Sequence, residues 1–207
     1  MKLFWSSRSP FVRKVMLVAH ETGCADRIER VRTLVAATKP NPDVMAANPL
    51  NKLPTLLLDD GRPLYDSRVI AEYLDSLHHG ARLFPAEPAT RFEALRLQAL
   101  GDGVLDFLLV GLGERAKAPD RQSPELIAAL ALKFKASFDQ LEREAVGVVL
   151  GGDSPTIGHI TIAAVCGYAD FRYGADNWRK GRPQLDAWHL RFAQRPSYKA
   201  TEHEDVY

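Results

Sequence analysis

The period of apolar and polar positions changes twice along the first 80 residues. Lys2–Trp5 opens as a short apolar run and Ile28–Arg32 alternates apolar with basic residues, so both predict strands. Between them, Val15, Met16, Leu17, Val18 and Ala19 follow a helix start marked by Ser9 at the cap and Pro10 at the first helical position. That helix is predicted to run to about Glu21, with Gly23 ending it. Lys39–Pro49, with prolines at 40, 42 and 49, predicts irregular chain holding one short helix. Thr55–Leu58 is an apolar strand, Asp59-Asp60-Gly61 a hairpin turn, and Arg62–Tyr65 a short return strand in which Pro63 suits an edge. Asp66-Ser67 then offers a helix N-cap ahead of Val69, Ile70, Tyr73, Leu74 and Leu77 at helical spacing. The resulting order is βαβαββα.

Beyond Gly80 the pattern becomes helical throughout. Residues 80–88, with Gly80 and prolines at 85 and 88, read as a linker between a domain at 1–79 and an all-helical one at 89–207. Ala89–Lys117 predicts one long helix, which Gly101, Gly103, Gly111 and Gly113 weaken unless they serve close packing or leave room for a ligand. Arg121–Val146 carries Leu126, Ile127, Leu130, Phe134, Phe138 and Leu141 on one stripe. Gly151–Pro155 reads as a turn. Thr156–Tyr173 is apolar nearly all round, as a buried central helix is. Pro183–Gln194 and Pro196–Thr201 are expected to finish the bundle.

Charge excludes some classes of partner. With 27 Lys and Arg against 26 Asp and Glu spread over both halves, nothing calls for nucleic acid or an anionic membrane surface. No apolar run approaches the roughly 20 residues that cross a bilayer, and the N-terminal run lacks a secretory h-region. Cys24 and Cys166 are the two cysteines, far apart and without metal-ligand spacing, so two buried thiols in a reduced, cytoplasmic setting and no metal are expected.

The unit Lys52-Leu53-Pro54-Thr55-Leu56, turn, strand, Asp66-Ser67, helix resembles the glutathione-binding half of the glutathione S-transferase superfamily. The Leu83-Phe84-Pro85 linker and the helical second half extend the resemblance over essentially the whole chain. It implies a thioredoxin-like first domain, a helical second domain, glutathione as co-substrate and a homodimer. It also implies a cis Pro54 that exposes the Leu53 backbone to the cysteinyl part of glutathione, and an Asp66-Ser67 pair that holds the γ-glutamyl end. The residue chemistry agrees. A helix N-terminus presents unpaired N–H groups and partial positive charge to a carboxylate, Asp66 can meet the ammonium, and the Ser67 hydroxyl can donate. An ordinary helix cap is the alternative for both.

A transferase must turn glutathione's thiol into a thiolate. The Ser9-Pro10-Phe11-Val12 wording is similar to serine-type transferases, including the plant tau class and several bacterial groups, which implies that Ser9 donates to the sulfur. Ser6 and Ser7 are rivals, and a plain cap role for Ser9 stays open. No thiol lies in the loop, which excludes a dithiol mechanism there. Lys52 suits the glycyl carboxylate as a point charge or is a solvated loop residue. Arg13 either faces the site or pairs on the surface. For a hydrophobic electrophile, Phe107, Leu108, Leu112, Tyr168, Phe171 and Arg172 are candidates, with plain core packing as the alternative. One departure from the family pattern stands at the central helix. His159 occupies the position where an aspartate would return a bond to the Thr156 cap, which predicts a weakened cap. A non-catalytic glutathione-binding or scaffold protein of the same fold is the competing functional class.

Overall fold

The computed structural model describes residues 1–36, 38–147, 150–151 and 154–206. The chain divides into two compact units, Met1–Ala86 with Pro196–Tyr207, and Glu87–Arg195.

The first unit holds β1 (Lys2–Trp5), α1 (Pro10–Glu21), β2 (Glu29–Arg32), α2 (Pro42–Ala47), β3 (Thr55–Leu57), β4 (Pro63–Leu64) and α3 (Ser67–Ser76). The βαβαββα order is the one read from the pattern, and the fold is thioredoxin-like. The sheet runs β2-β1-β3-β4, with β1 parallel to β2 and antiparallel to β3, and β3 antiparallel to β4. Pro63, which has no N–H to give a ladder, lies on the edge strand. Gly61 closes the hairpin at φ +84°, a backbone that side-chain-bearing residues rarely adopt. Gly23, just past α1, has φ +68°. Leu3, Val15, Leu17, Val18, Leu56, Ile70 and Leu74 form the core between the sheet and the helices.

The last stretch packs with this unit rather than with the bundle it was expected to finish. α8 (Pro196–Lys199) lies against α1, where the Arg13 guanidinium stacks on the Tyr198 ring at 4.1 Å and Ser197 donates to Glu21. Arg13 is therefore neither a surface ion-pair residue nor part of the predicted glutathione site.

The second unit contains α4 (Pro88–Arg115), α5 (Pro124–Ala145), α6 (Ile157–Arg172) and α7 (Pro183–Phe192). α6 is buried from Ile157 through Ala169, as its all-round apolarity requires. The four glycines of α4 divide into two kinds. A Cβ on Gly101 would lie 2.6 Å from Thr161 Cγ2 and one on Gly111 2.8 Å from the Tyr173 hydroxyl, so both permit close packing. Gly103 and Gly113 face open space. The Gly151–Pro155 turn falls partly outside the described residues, which omit 152 and 153.

The expected weakening of the α6 cap does not occur. His159 Nδ1 accepts from the Thr156 backbone N–H at 2.9 Å and lies 2.8 Å from its hydroxyl, so the imidazole performs the carboxylate's task. His159 is buried, with its ring beside that of Trp188.

Candidate active site

Strand register gathers the predicted glutathione residues at one end of the sheet. Phe4 pairs with Thr55 across the antiparallel β1–β3 ladder, so the loop leaving β1 and the loop entering β3 share an edge. Leu56 pairs with Leu64, so the chain leaving β4 reaches the same edge. The N-terminus of α1, Leu53-Pro54 and Asp66-Ser67 are thereby brought together, although they span 58 positions of sequence from Ser9 to Ser67.

Ser9 is the N-cap of α1, and its Oγ accepts from the Val12 N–H at 3.3 Å. A hydroxyl accepting in this way keeps its own proton to donate, so the cap role and a donor role are compatible. The rival serines are placed differently. Ser7 Oγ donates to the Glu204 carbonyl at 2.9 Å, and Ser6 Oγ accepts from the Arg8 N–H at 3.3 Å. Neither caps a helix.

Leu53-Pro54 is cis, as is Tyr65-Asp66. Leu53 is buried by its side chain, while its N–H and C=O fall outside the β3 ladder, which begins at Thr55. Asp66 is the N-cap of α3, with Oδ1 accepting from the Arg68 N–H at 2.9 Å. Ser67 is the first helical residue, buried at 3% exposure, and its hydroxyl makes no hydrogen bond among the described residues. Lys52 points its side chain outward, and its carbonyl is engaged by the loop itself.

That engagement involves residues the sequence reading passed over. Asn48, 1% exposed, donates from Nδ2 to Lys52 C=O at 3.3 Å and to Thr55 Oγ1 at 2.8 Å. Thr55 Oγ1 in turn donates to Lys52 C=O at 2.9 Å. Asn51 adopts φ +51° and accepts from the Asn41 N–H at 2.9 Å. The available signal was an asparagine ending the short helix just before Pro49, in a chain that must then turn.

Two of the six electrophile candidates line one small cavity of the second unit. Phe107 and Leu108 line a cavity of about 20 Å³ with Tyr173 and Phe134, far below the roughly 300 Å³ of a small-molecule site. Leu112, Tyr168, Phe171 and Arg172 lie outside its lining. Tyr168 is 1% exposed, and the Arg172 guanidinium covers the Phe171 ring at 3.9 Å. Tyr173, absent from the candidates, donates from its hydroxyl to Leu108 C=O, and burial pushes its pKa up. Cys24 and Cys166 are buried free thiols, and burial raises the Cys166 pKa well above the usual thiol range. Among the described residues no three His, Cys, Asp or Glu side chains gather as a metal would require, and no helix is long and apolar enough to cross a membrane.

A thioredoxin-like sheet that presents a capped helix, a cis-proline loop and an Asp-Ser helix start at one edge, joined to a helical unit, defines a class of glutathione-handling folds. Comparison with known proteins agrees. Residues 8–77 match the glutathione S-transferase N-terminal domain family and residues 124–191 the C-terminal domain family. The "uncharacterized GST-like protein YibF" of Escherichia coli K12 is 32% identical over 98% of both chains. A glutathione transferase family member from Pseudomonas fluorescens Pf-5, solved with bound glutathione, is 37% identical over 98% of both chains, with a TM-score of 0.92. The same family member with bound S-(propanoic acid)-glutathione covers both chains fully with a TM-score of 0.89. The chain belongs to the glutathione S-transferase family.

Proposed function

We propose that this protein is a serine-type glutathione S-transferase acting as a homodimer in the cytoplasm. Its thioredoxin-like unit binds glutathione, and its helical unit, Glu87–Arg195, carries the site for a hydrophobic electrophile. The single observation that carries the reading is the convergence of the Ser9 helix start, the cis Leu53-Pro54 loop and Asp66-Ser67 on one sheet edge. One solved relative, with glutathione bound in one structure and S-(propanoic acid)-glutathione in another, supports the ligand.

In this reading the Leu53 backbone holds the cysteinyl unit. The Asp66 carboxylate meets the γ-glutamyl ammonium, and Ser67 with the N-terminal amides of α3 takes the γ-glutamyl carboxylate. Lys52 supplies a point charge for the glycyl carboxylate. A free thiol with pKa near 8.5 is only a few per cent ionised at neutral pH. The Ser9 O–H donates to sulfur and the α1 N-terminus adds positive field, so the thiolate is favoured. The thiolate then attacks an electrophilic carbon. A C–S bond forms, and the leaving group departs with its electron pair, or an added proton completes the product where no group leaves.

The test has two arms. Calorimetric titration with reduced glutathione should show saturable one-to-one binding that Ser67→Ala weakens. Ultraviolet titration of the bound thiol should show its pKa returning toward the free value in Ser9→Ala while binding survives. Tight binding with an unlowered thiol pKa in the wild-type protein would move the assignment to a non-catalytic binding protein.

A further inference from the structure

On the far side of β1 from β3, a cavity of about 370 Å³ lies within the first unit. Ser6 and Ser7 of the β1–α1 loop line it, whereas Ser9, Lys52, Leu53, Pro54, Asp66 and Ser67 do not. Its lining includes three arginines, Arg13, Arg30 and Arg32. Arg30 and Arg32 stand two apart on β2 and so share a face of the strand. Arg13 comes from α1 and is 5% exposed.

The state of Arg13 is the telling feature. Its Nη2 donates to Tyr198 C=O at 3.4 Å, and its Nε makes no hydrogen bond among the described residues. No described carboxylate pairs with Arg13, Arg30 or Arg32. A guanidinium cannot shed its charge by titrating, and a buried one is costly without a counter-charge. Glu202 and Glu204 also line the cavity but pair with none of the three, and two carboxylates against three guanidiniums leave the wall positive. The rest of the lining includes Trp5 and Met16, and the Arg30 guanidinium lies 5.4 Å over the Trp5 ring. The volume falls in the roughly 300–1,000 Å³ range of small-molecule sites.

We propose that this cavity is a second ligand site, separate from the glutathione site, that takes a small carboxylic acid with an apolar body. The arginine forks match a carboxylate bidentately, and the Trp5–Met16 side accepts the apolar part. Glu202 and Glu204 act as a rim that disfavours multiply charged anions.

Benzoate is the probe, titrated into the full chain by calorimetry with reduced glutathione held at saturation. Saturable one-to-one binding is expected. Arg32→Gln, at an exposed strand position, should weaken it roughly tenfold with the circular dichroism spectrum unchanged. Glu202→Gln with Glu204→Gln should tighten it. Absence of saturation at millimolar benzoate would overturn the proposal, as would affinity unchanged by both Arg30→Gln and Arg32→Gln. Displacement of benzoate by glutathione would assign the probe to the glutathione site and also overturn it. Inorganic phosphate binding as tightly as benzoate would overturn the carboxylate assignment.

Discussion

Asn48 Nδ2 donates to Thr55 Oγ1 at 2.8 Å, spanning the loop that contains Leu53 and cis Pro54. The pair brackets the backbone assigned to the cysteinyl unit of glutathione. Asn48→Ala removes a donor from the half-buried Lys52 carbonyl and from the buried Thr55 hydroxyl, which costs about 1–3 kcal/mol of stability. Urea denaturation should register that loss. Calorimetry should register a weaker affinity for glutathione that exceeds any change in the α6 cap variants described next.

His159 replaces the expected carboxylate of the α6 capping box. His159→Asp should preserve stability within about 0.5 kcal/mol, whereas His159→Ala should lose about 1 kcal/mol with the cap. The midpoint of thermal unfolding separates the two. Equal losses in both would mean that packing against Trp188, at 6.4 Å between ring centroids, outweighs the cap bond.

Gly158 and Gly103 make a matched pair of helix glycines. A Cβ on Gly158 would sit 2.7 Å from Leu97 Cβ and 2.9 Å from the Ala94 carbonyl oxygen, neither of which is a movable side-chain end. Gly158→Ala should therefore destabilise by about 1–3 kcal/mol. Gly103→Ala meets nothing within 4 Å and should gain up to about 1 kcal/mol from helix propensity. Chemical denaturation of both variants checks the opposite signs.

Asp139 receives Lys135 at 2.6 Å and the buried Arg182 at 2.7 Å, and these hydrogen bonds hold its carboxyl below the usual carboxylate range. A depressed folded-state pKa contributes stability above the unfolded value of 3.8, and that contribution fades as pH falls through the folded value. The melting temperature of wild type should exceed that of Asp139→Asn near neutral pH. The gap should narrow as pH drops below about 4. A constant gap from neutral to acid pH would show that the ion pairs contribute nothing measurable.

The sequence by itself determined the elements of this protein and their order. Ser9-Pro10 at one helix start, Gly61 at a hairpin, Pro63 on an edge strand and the all-round apolarity of 156–173 are local signals, written within a few residues of what they specify. The Leu53-Pro54 and Asp66-Ser67 pieces were legible for the same reason, since each is a short motif in fixed order.

Tertiary structure decided what depends on partners remote in sequence. Ser7 is bound to Glu204, 197 positions away, which separates it from Ser9 in a loop where three serines look alike. Arg13 is buried because α8 folds back onto α1, although nothing within a few residues of Arg13 announces Tyr198. His159 caps a helix through the one nitrogen that its geometry presents to Thr156. Such contacts carry no periodicity, because their energy comes from burial and pairing between segments that meet only once the chain has folded.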